Sequence, residues 1–453
     1  MKRRFYWSLA RTFGGLRWRT RLTVWAAAAL AGLIVVLFAR VSELALLAFR
    51  QIRGDQAWVP FVLTPCVAML IVWMTTRWIQ GAQGSGIPQV IAAARLARGG
   101  KATGRLVSLR IAFGKVAMVA LGLLGGFSIG REGPSVQVAA SVLDSAHRYL
   151  PQSHSRAVRR SDLILAGGAA GVAAAFNTPL AGIMFAIEEL GRRHGEANAS
   201  GILLITVIFS GLVAVGFEGN YTYFGHLNVG SVARGILLPV LAIAIICGIL
   251  GGLFSRLLLM PLRHRNWGIW RYRRQHPVVF AGACGVVVAA IGWLSGGYSF
   301  GSGYVATANA ISGQTTLHWS APFAKFAATV VSYFSGIPGG IFAPALAIGA
   351  AVGFDIAPLT ASFANEHQVV ALCMAAFLAA VTQAPITAAI IVMEMIDGHG
   401  MVLSLMGVSL LAKVISGMFG PELYQQMARG FLDSPPDQHD SGGRNESPAV
   451  RVR

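Results

Sequence analysis

Charge is scarce in these 453 residues: Asp, Glu, Lys and Arg together make up 12%, against 55% hydrophobic side chains and a mean hydropathy of +0.61. That shortage excludes an ordinary soluble globular chain, in which about a quarter of residues are charged. Long unbroken apolar runs are also few. Residues 22–39, 235–254 and 401–412 are apolar, but only some such runs approach the roughly 20 residues a simple spanning helix needs. The 54 glycines and 18 prolines interrupt many of the others. The expected fold is an all-α polytopic membrane protein in which several helices stop inside the membrane.

Cysteine is nearly absent. Cys66, Cys247, Cys284 and Cys373 all lie in apolar segments without CxxC spacing, so they point to neither disulfides nor metal, and no metal site or cofactor is expected. Acidic residues number 18 against 37 Lys and Arg, a formal net charge of +19. The basic excess collects at the flanks of apolar runs: Lys2, Arg3, Arg4, Arg11, Arg17, Arg19 and Arg21 before the first, and 263–276, "RHRNWGIWRYRRQH", between two later ones. Such flanks orient a membrane protein with its basic segments in the cytosol, against anionic lipid, and nucleic acid is not an expected partner. The first apolar run is too long for a signal h-region and lacks a small-residue cleavage site, so the N-terminus reads as retained.

The chain repeats itself. "GSGIPQ" at Gly84 returns as "GSGYVA" at Gly301, Lys115 as Lys325, and "GREGPSVQVAA" as "GIFAPALAIGA". Residues 174–189 match 379–395, with Pro179 over Pro385 and Glu188 over Glu394. Four matches in one order indicate two homologous halves. The expected organisation is a basic cytosolic segment (1–21), a first membrane repeat (22–217), a linker (218–234), a second membrane repeat (235–417), a C-terminal helix (418–430) and a polar, disordered cytosolic tail (431–453).

Proline preceded by a small or polar residue marks five expected helix starts: Gly133-Pro134, Thr178-Pro179, Ala343-Pro344, Ala384-Pro385 and Gly420-Pro421. Several fall at membrane depth. A helix N-terminus has unpaired N–H groups and partial positive charge, so there it must meet protein, water or an anion. Glu132 lies at one of them. Read from the residues alone, it is either a carboxylate favoured by the helix dipole or, as an acid inside a membrane, a functional group.

Three segments, "GSGIP" (84–88), "GREGP" (130–134) and "GGIFAP" (339–344), resemble in order and separation the signatures of the CLC family of chloride channels and proton-chloride exchangers. The stretch "NTPLAG" before the paired glutamates and "PELYQQM" near the C-terminus resemble it too, so nearly the whole hydrophobic chain is covered. The resemblance implies a CLC-like fold of two inverted repeats with broken and re-entrant helices, a homodimer with one anion pathway per subunit, and chloride and protons as the transported ions. It makes Ser85, Tyr424 and the backbone N–H groups of Ile341 and Phe342 the anion ligands, with Gly84, Gly86, Pro88, Gly130, Arg131, Gly133, Pro134, Gly340 and Pro344 as supporting motif residues. It makes Glu132 the gating and external proton glutamate, and Glu189 the internal one, with Glu188 in a supporting role.

Other readings compete residue by residue. Ser85 alone could be an N-cap, Tyr424 an interfacial anchor, and Glu189 a partner of Arg192 or Arg193 at the membrane edge. Gln89 stands where the family often has an acid, and Thr178 where it often has alanine. The tail is too short for paired CBS domains, so nucleotide regulation is not expected. Proton-chloride antiport is the expected function and a passive chloride channel the alternative. A cation-coupled solute carrier would not need "GREGP". Enzyme activity is not expected, because the Ser85 segment lacks the glycine of an intramembrane serine protease and no histidine lies in a suitable neighbouring helix. The architecture points to a bacterial inner membrane.

Overall fold

A computed structural model describes residues 18–150, 158–191, 201–219, 223–224 and 235–433. Arg192 and Arg193, most of the basic N-terminal segment and most of the tail lie outside the described residues.

The first half runs α1 (Trp18–Arg53), α2 (Val59–Arg77), α3 (Ile87–Arg98), α4 (Leu109–Leu124), α5 (Glu132–Ala146), α6 (Arg160–Phe176), α7 (Pro179–Phe185) and α8 (Gly201–Glu218). The second runs α9 (Leu237–Leu258), α10 (Met260–Arg263), α11 (Gly268–Gln275), α12 (Pro277–Leu294), α13 (Tyr304–Ile311), α14 (Ala321–Phe334), α15 (Phe342–Thr360), α16 (Glu366–Thr382), α17 (Pro385–Ile396) and α18 (Val402–Gly417). A terminal helix, α19 (Leu423–Leu432), follows. With the short basic α10 and α11 set aside, α9 to α18 retrace α1 to α8 in order.

Seven helices among the described residues are long and apolar enough to cross a membrane: α1, α2, α8, α9, α12, α15 and α18, the last counted from His399. Others are too short. The 15 residues of α5 rise about 22 Å, short of a hydrocarbon core of about 30 Å. A helix that ends at that depth needs protein around its terminus, and α5 has it, with 14 of its residues buried. In α16 every residue from Gln368 to Thr382 is buried, the pattern of a helix enclosed on all sides by other helices.

Glycine sets the closest helix contacts. A Cβ at Gly171 of α6 would lie 2.6 Å from the Ser135 carbonyl oxygen of α5, and one at Gly349 of α15 would lie 2.7 Å from the Cys373 carbonyl oxygen of α16. These are repeat-related interfaces in which opposite partners supply the glycine. Small residues let backbones approach where lipid provides no hydrophobic drive for association.

Both halves break their helices in the same way. Asn177 ends α6 and Gln383 ends α16 in the left-handed conformation (φ 57° and 63°), and Pro179 and Pro385 then open α7 and α17. The other three proline positions differ from expectation. Pro134 and Pro344 occupy the third residue of α5 and α15, which sterics allow because a first-turn N–H has no intrahelical partner. Pro421 precedes α19, whose N-cap is Glu422. The helical bounds also shift: α1 starts at Trp18, and the C-terminal helix expected over 418–430 runs from Leu423 to Leu432, so 418–422 are not helical and Phe431 and Leu432 are helix rather than tail.

Candidate functional site

The three glycine-rich loops meet at the centre of the molecule. Gly130 and Gly340, repeat equivalents, exchange both backbone hydrogen bonds, each N–H donating to the other's carbonyl at 2.7 Å, and the Gly339 N–H donates to the Gly84 carbonyl at 3.1 Å. A reciprocal pair of equivalent residues is what a two-fold axis between inverted halves produces. The first turns of α3, α5 and α15 are thereby brought together, and Phe342 stacks on Tyr424 of α19 (centroids 6.1 Å, 15°).

Two buried lysines hold the Gly-Ser-Gly loops. Lys115 Nζ donates to the Ala82 and Gly84 carbonyls at 2.6 and 2.7 Å, and Lys325 Nζ to those of Ser299 and Gly301 at 3.1 and 2.7 Å. Gly84 and Gly301 have nearly the same left-handed φ, 67° and 68°. The serines between the glycines behave differently. Ser302 Oγ accepts the Tyr304 N–H at 3.3 Å, whereas Ser85 Oγ is buried without a described partner.

Ser85 is therefore not an N-cap: Gly86 caps α3, and Gln89 Oε1 accepts the Gly86 N–H at 3.1 Å. The amide of Gln89 also donates to the Gln83 and Gly81 carbonyls, which an ionised acid in that place would not do. Ser85 packs against α5 instead, where a Cβ on Gly133 would lie 2.5 Å from its Oγ. Its hydroxyl lies close to the Tyr424 phenol and interacts weakly with it, outside normal hydrogen-bond geometry. Neither oxygen forms a hydrogen bond with a described group. Tyr424 is wholly buried, which rules out an interfacial anchor. Ile341 is the N-cap residue of α15 and Phe342 its first residue, both buried.

Glu132 is the first residue of α5 and is buried. Its carboxylate lies beside its own N–H and that of Ala343 in α15. Oε1 accepts the Tyr223 phenol at 3.2 Å, while Oε2 meets hydrogen-bond geometry with no described donor. Arg131 turns away: its Nη1 donates to the Ala39 carbonyl at 2.7 Å and to Glu43 Oε1 at 2.8 Å, both on α1.

After α7 the helix widens into a π turn over Ala186–Leu190, and this irregularity separates two adjacent acids. Glu188 reaches the start of α17, accepting the Ile386 N–H (3.3 Å), the Thr387 N–H (2.7 Å) and the Thr387 hydroxyl (2.8 Å). Glu189 is fully buried and near enough to Tyr424 for its charge to act on the phenol. Its carbonyl accepts Gln425 Nε2 of α19 at 2.9 Å.

The structure thus brings together Ser85, Glu132, Ile341, Phe342 and Tyr424, places Glu189 beside Tyr424, and puts Glu188 at another helix terminus. Tyr223 and Glu43 were missed by the sequence reading. Tyr223 sits in a stretch without periodicity, and no pattern in the sequence marks either residue. Among the described residues no three His, Cys, Asp or Glu side chains group as metal ligands would.

Comparison with known proteins agrees with this geometry. A family model described as "Voltage gated chloride channel" matches residues 67–417. The H(+)/Cl(-) exchange transporter ClcA of Cronobacter sakazakii is 30% identical over 85% of this chain and 83% of its own length. Among solved structures, a slow cyanobacterial Cl-/H+ antiporter superposes with a TM-score of 0.80 at 24% identity, covering 92% of this chain and 99% of that one. A CLC-type fluoride/proton antiporter superposes with a TM-score of 0.74 at 23% identity, covering 90% and 96%.

Proposed function

The chain belongs to the CLC family, the voltage gated chloride channels, and from that premise we propose that it exchanges chloride for protons across a membrane. One observation carries this reading: two buried hydroxyls, Ser85 and Tyr424, lie close to each other where the first turns of α5 and α15 meet, and neither makes a hydrogen bond of normal geometry with a described group. An unmade hydrogen bond in a buried site costs about 1–3 kcal/mol per group. A weakly hydrated anion held by the two hydroxyls and the Ile341 and Phe342 amides would remove that cost without a full positive charge to trap it.

In this proposal Glu132 is an anion of the protein's own. Ionised, its carboxylate occupies ground between the α5 and α15 first turns that chloride must cross; protonated, it loses the attraction that keeps it there and swings aside. The same group therefore gates the anion and carries a proton. Glu189 is the second proton carrier, on the far side of Tyr424, where the proton route leaves the anion route. Supporting motif residues act through backbone geometry, and Glu188 through its helix cap.

We further propose a homodimer with one pathway per subunit, acyl chains against the exposed apolar belts, and a place in a bacterial inner membrane, in keeping with the bacterial source of the similar exchange transporter. The role is transport rather than catalysis. Proteoliposomes followed for chloride and pH together test the proposal. Uphill proton movement driven by a chloride gradient supports it, and chloride flux with no proton counterflow turns the reading to a passive channel.

A further inference from the structure

The linker between the halves carries a side chain into the gate. Tyr223 lies on the stretch between α8 and α9, yet its phenol donates to Glu132 Oε1 at 3.2 Å and only 3% of the residue is exposed. Its position is built from three directions. Its ring packs edge-on against Phe176 at the end of α6 (centroids 5.7 Å) and tilted against Tyr304 at the start of α13 (4.5 Å). The next residue is tied to the second half, the Phe224 N–H donating to the Met395 carbonyl of α17 at 3.0 Å. A phenol held this firmly meets one oxygen of the carboxylate without a further ordering cost.

We propose that Tyr223 is a positioning residue that latches Glu132 in its buried, ionised pose and sets the pH at which the gate releases. The inference rests on the gating role given to Glu132 above. A hydrogen bond to a carboxylate is roughly twice as strong as one to a neutral group, so the phenol favours the ionised acid, and protonation weakens the bond as the gate frees itself. Arg131, the N-cap residue of α5, also favours the ionised acid through its charge, but its guanidinium hydrogen-bonds to Ala39 and Glu43 of α1 and gives the carboxylate no described hydrogen bond. Lys115 of α4 is engaged by the Ala82 and Gly84 carbonyls, and the Tyr424 phenol of α19 acts on Glu132 only through space, so Tyr223 is the side chain among the described residues that hydrogen-bonds the carboxylate. Arg160 and Asp162 of α6 and Asp355 of α15 lie far along their helices.

Tyr223→Phe removes the hydroxyl and keeps the ring. In proteoliposomes its turnover should reach half-maximum on the order of one pH unit higher than wild type, with faster turnover at neutral pH and an unchanged chloride-to-proton ratio. In a Glu132→Ala background, which has no carboxylate to latch, the same change should leave chloride flux as it was. An unshifted pH profile, or an equal effect in the Glu132→Ala background, overturns the latch, since either means that Tyr223 acts through packing alone. Failure of the antiport reading looks different: wild-type protein would then move no protons, and the latch would still be read from the pH dependence of chloride flux.

Discussion

Glu188 and Glu394 each cap a helix of the opposite repeat. Glu188 accepts the Ile386 and Thr387 N–H groups at the start of α17, and Glu394 accepts the Leu180 and Ala181 N–H groups at 3.2 and 2.8 Å at the start of α7. Two equivalent carboxylates thus satisfy two equivalent helix ends across the axis that passes between Gly130 and Gly340. Each cap joins the halves where a broken helix would otherwise leave donors unpaired at membrane depth.

Removing either carboxylate should therefore cost stability rather than coupling. Glu188→Ala and Glu394→Ala should each lower stability by about 1–2 kcal/mol, read as a lower melting temperature in detergent, while chloride affinity stays at the wild-type value. Loss of proton coupling in Glu188→Ala with unchanged melting would instead put this acid on the proton route.

Glu132→Ala should mimic a permanently released gate. Chloride flux continues, proton transport stops, and the pH dependence of flux flattens. Proton pumping by this variant at the wild-type ratio would show that another group carries the proton.

Glu189→Gln keeps the shape and removes the titrating group. Proton flux should stop, with calorimetric chloride affinity within about twofold of wild type, because the proposed anion ligands Ser85, Ile341, Phe342 and Tyr424 do not include this residue. Full coupling in the variant would leave Glu189 a purely structural acid.

The two loop serines make a controlled comparison. Ser85→Ala removes a donor that makes no hydrogen bond of normal geometry with a described group and should weaken chloride binding by about tenfold or more, as a hydrogen bond to a charged group is worth about 1.5–3 kcal/mol. Ser302→Ala removes an acceptor used within its own loop and should leave binding unchanged. Equal effects on halide affinity would break the assignment of Ser85.

Much of this was legible in the sequence, because the motifs that make the site are backbone motifs. Glycine at 84, 86, 130 and 340 and proline at 88, 134 and 344 prescribe tight loops and helix starts wherever they occur, and the repetition of Lys115 as Lys325 and Glu188 as Glu394 exposed the two halves. What could not be read depends on which strand of chain passes which. Tyr223 gains its role only because its phenol reaches Glu132 at the start of α5, and no local pattern records that contact. The division of labour between Glu188 and Glu189 was hidden for a related reason: adjacent acids on a regular helix point about 100° apart, and their actual destinations depend on the π turn. The proline rule was right for Pro179 and Pro385, placed Pro134 and Pro344 two residues too early in their first turns, and failed at Pro421, which precedes the helix.

A scaffold of two inverted halves presents nearly the same backbone to either side of a bilayer, so by shape alone it could be inserted upside down without penalty. Ser85 and Ser302 remove that indifference: one hydroxyl faces the meeting helix ends, and its twin is tied into its own loop. A molecule inserted in reverse would offer its donor to the opposite compartment. Vesicles holding both orientations would then hold two populations that a sided inhibitor could tell apart.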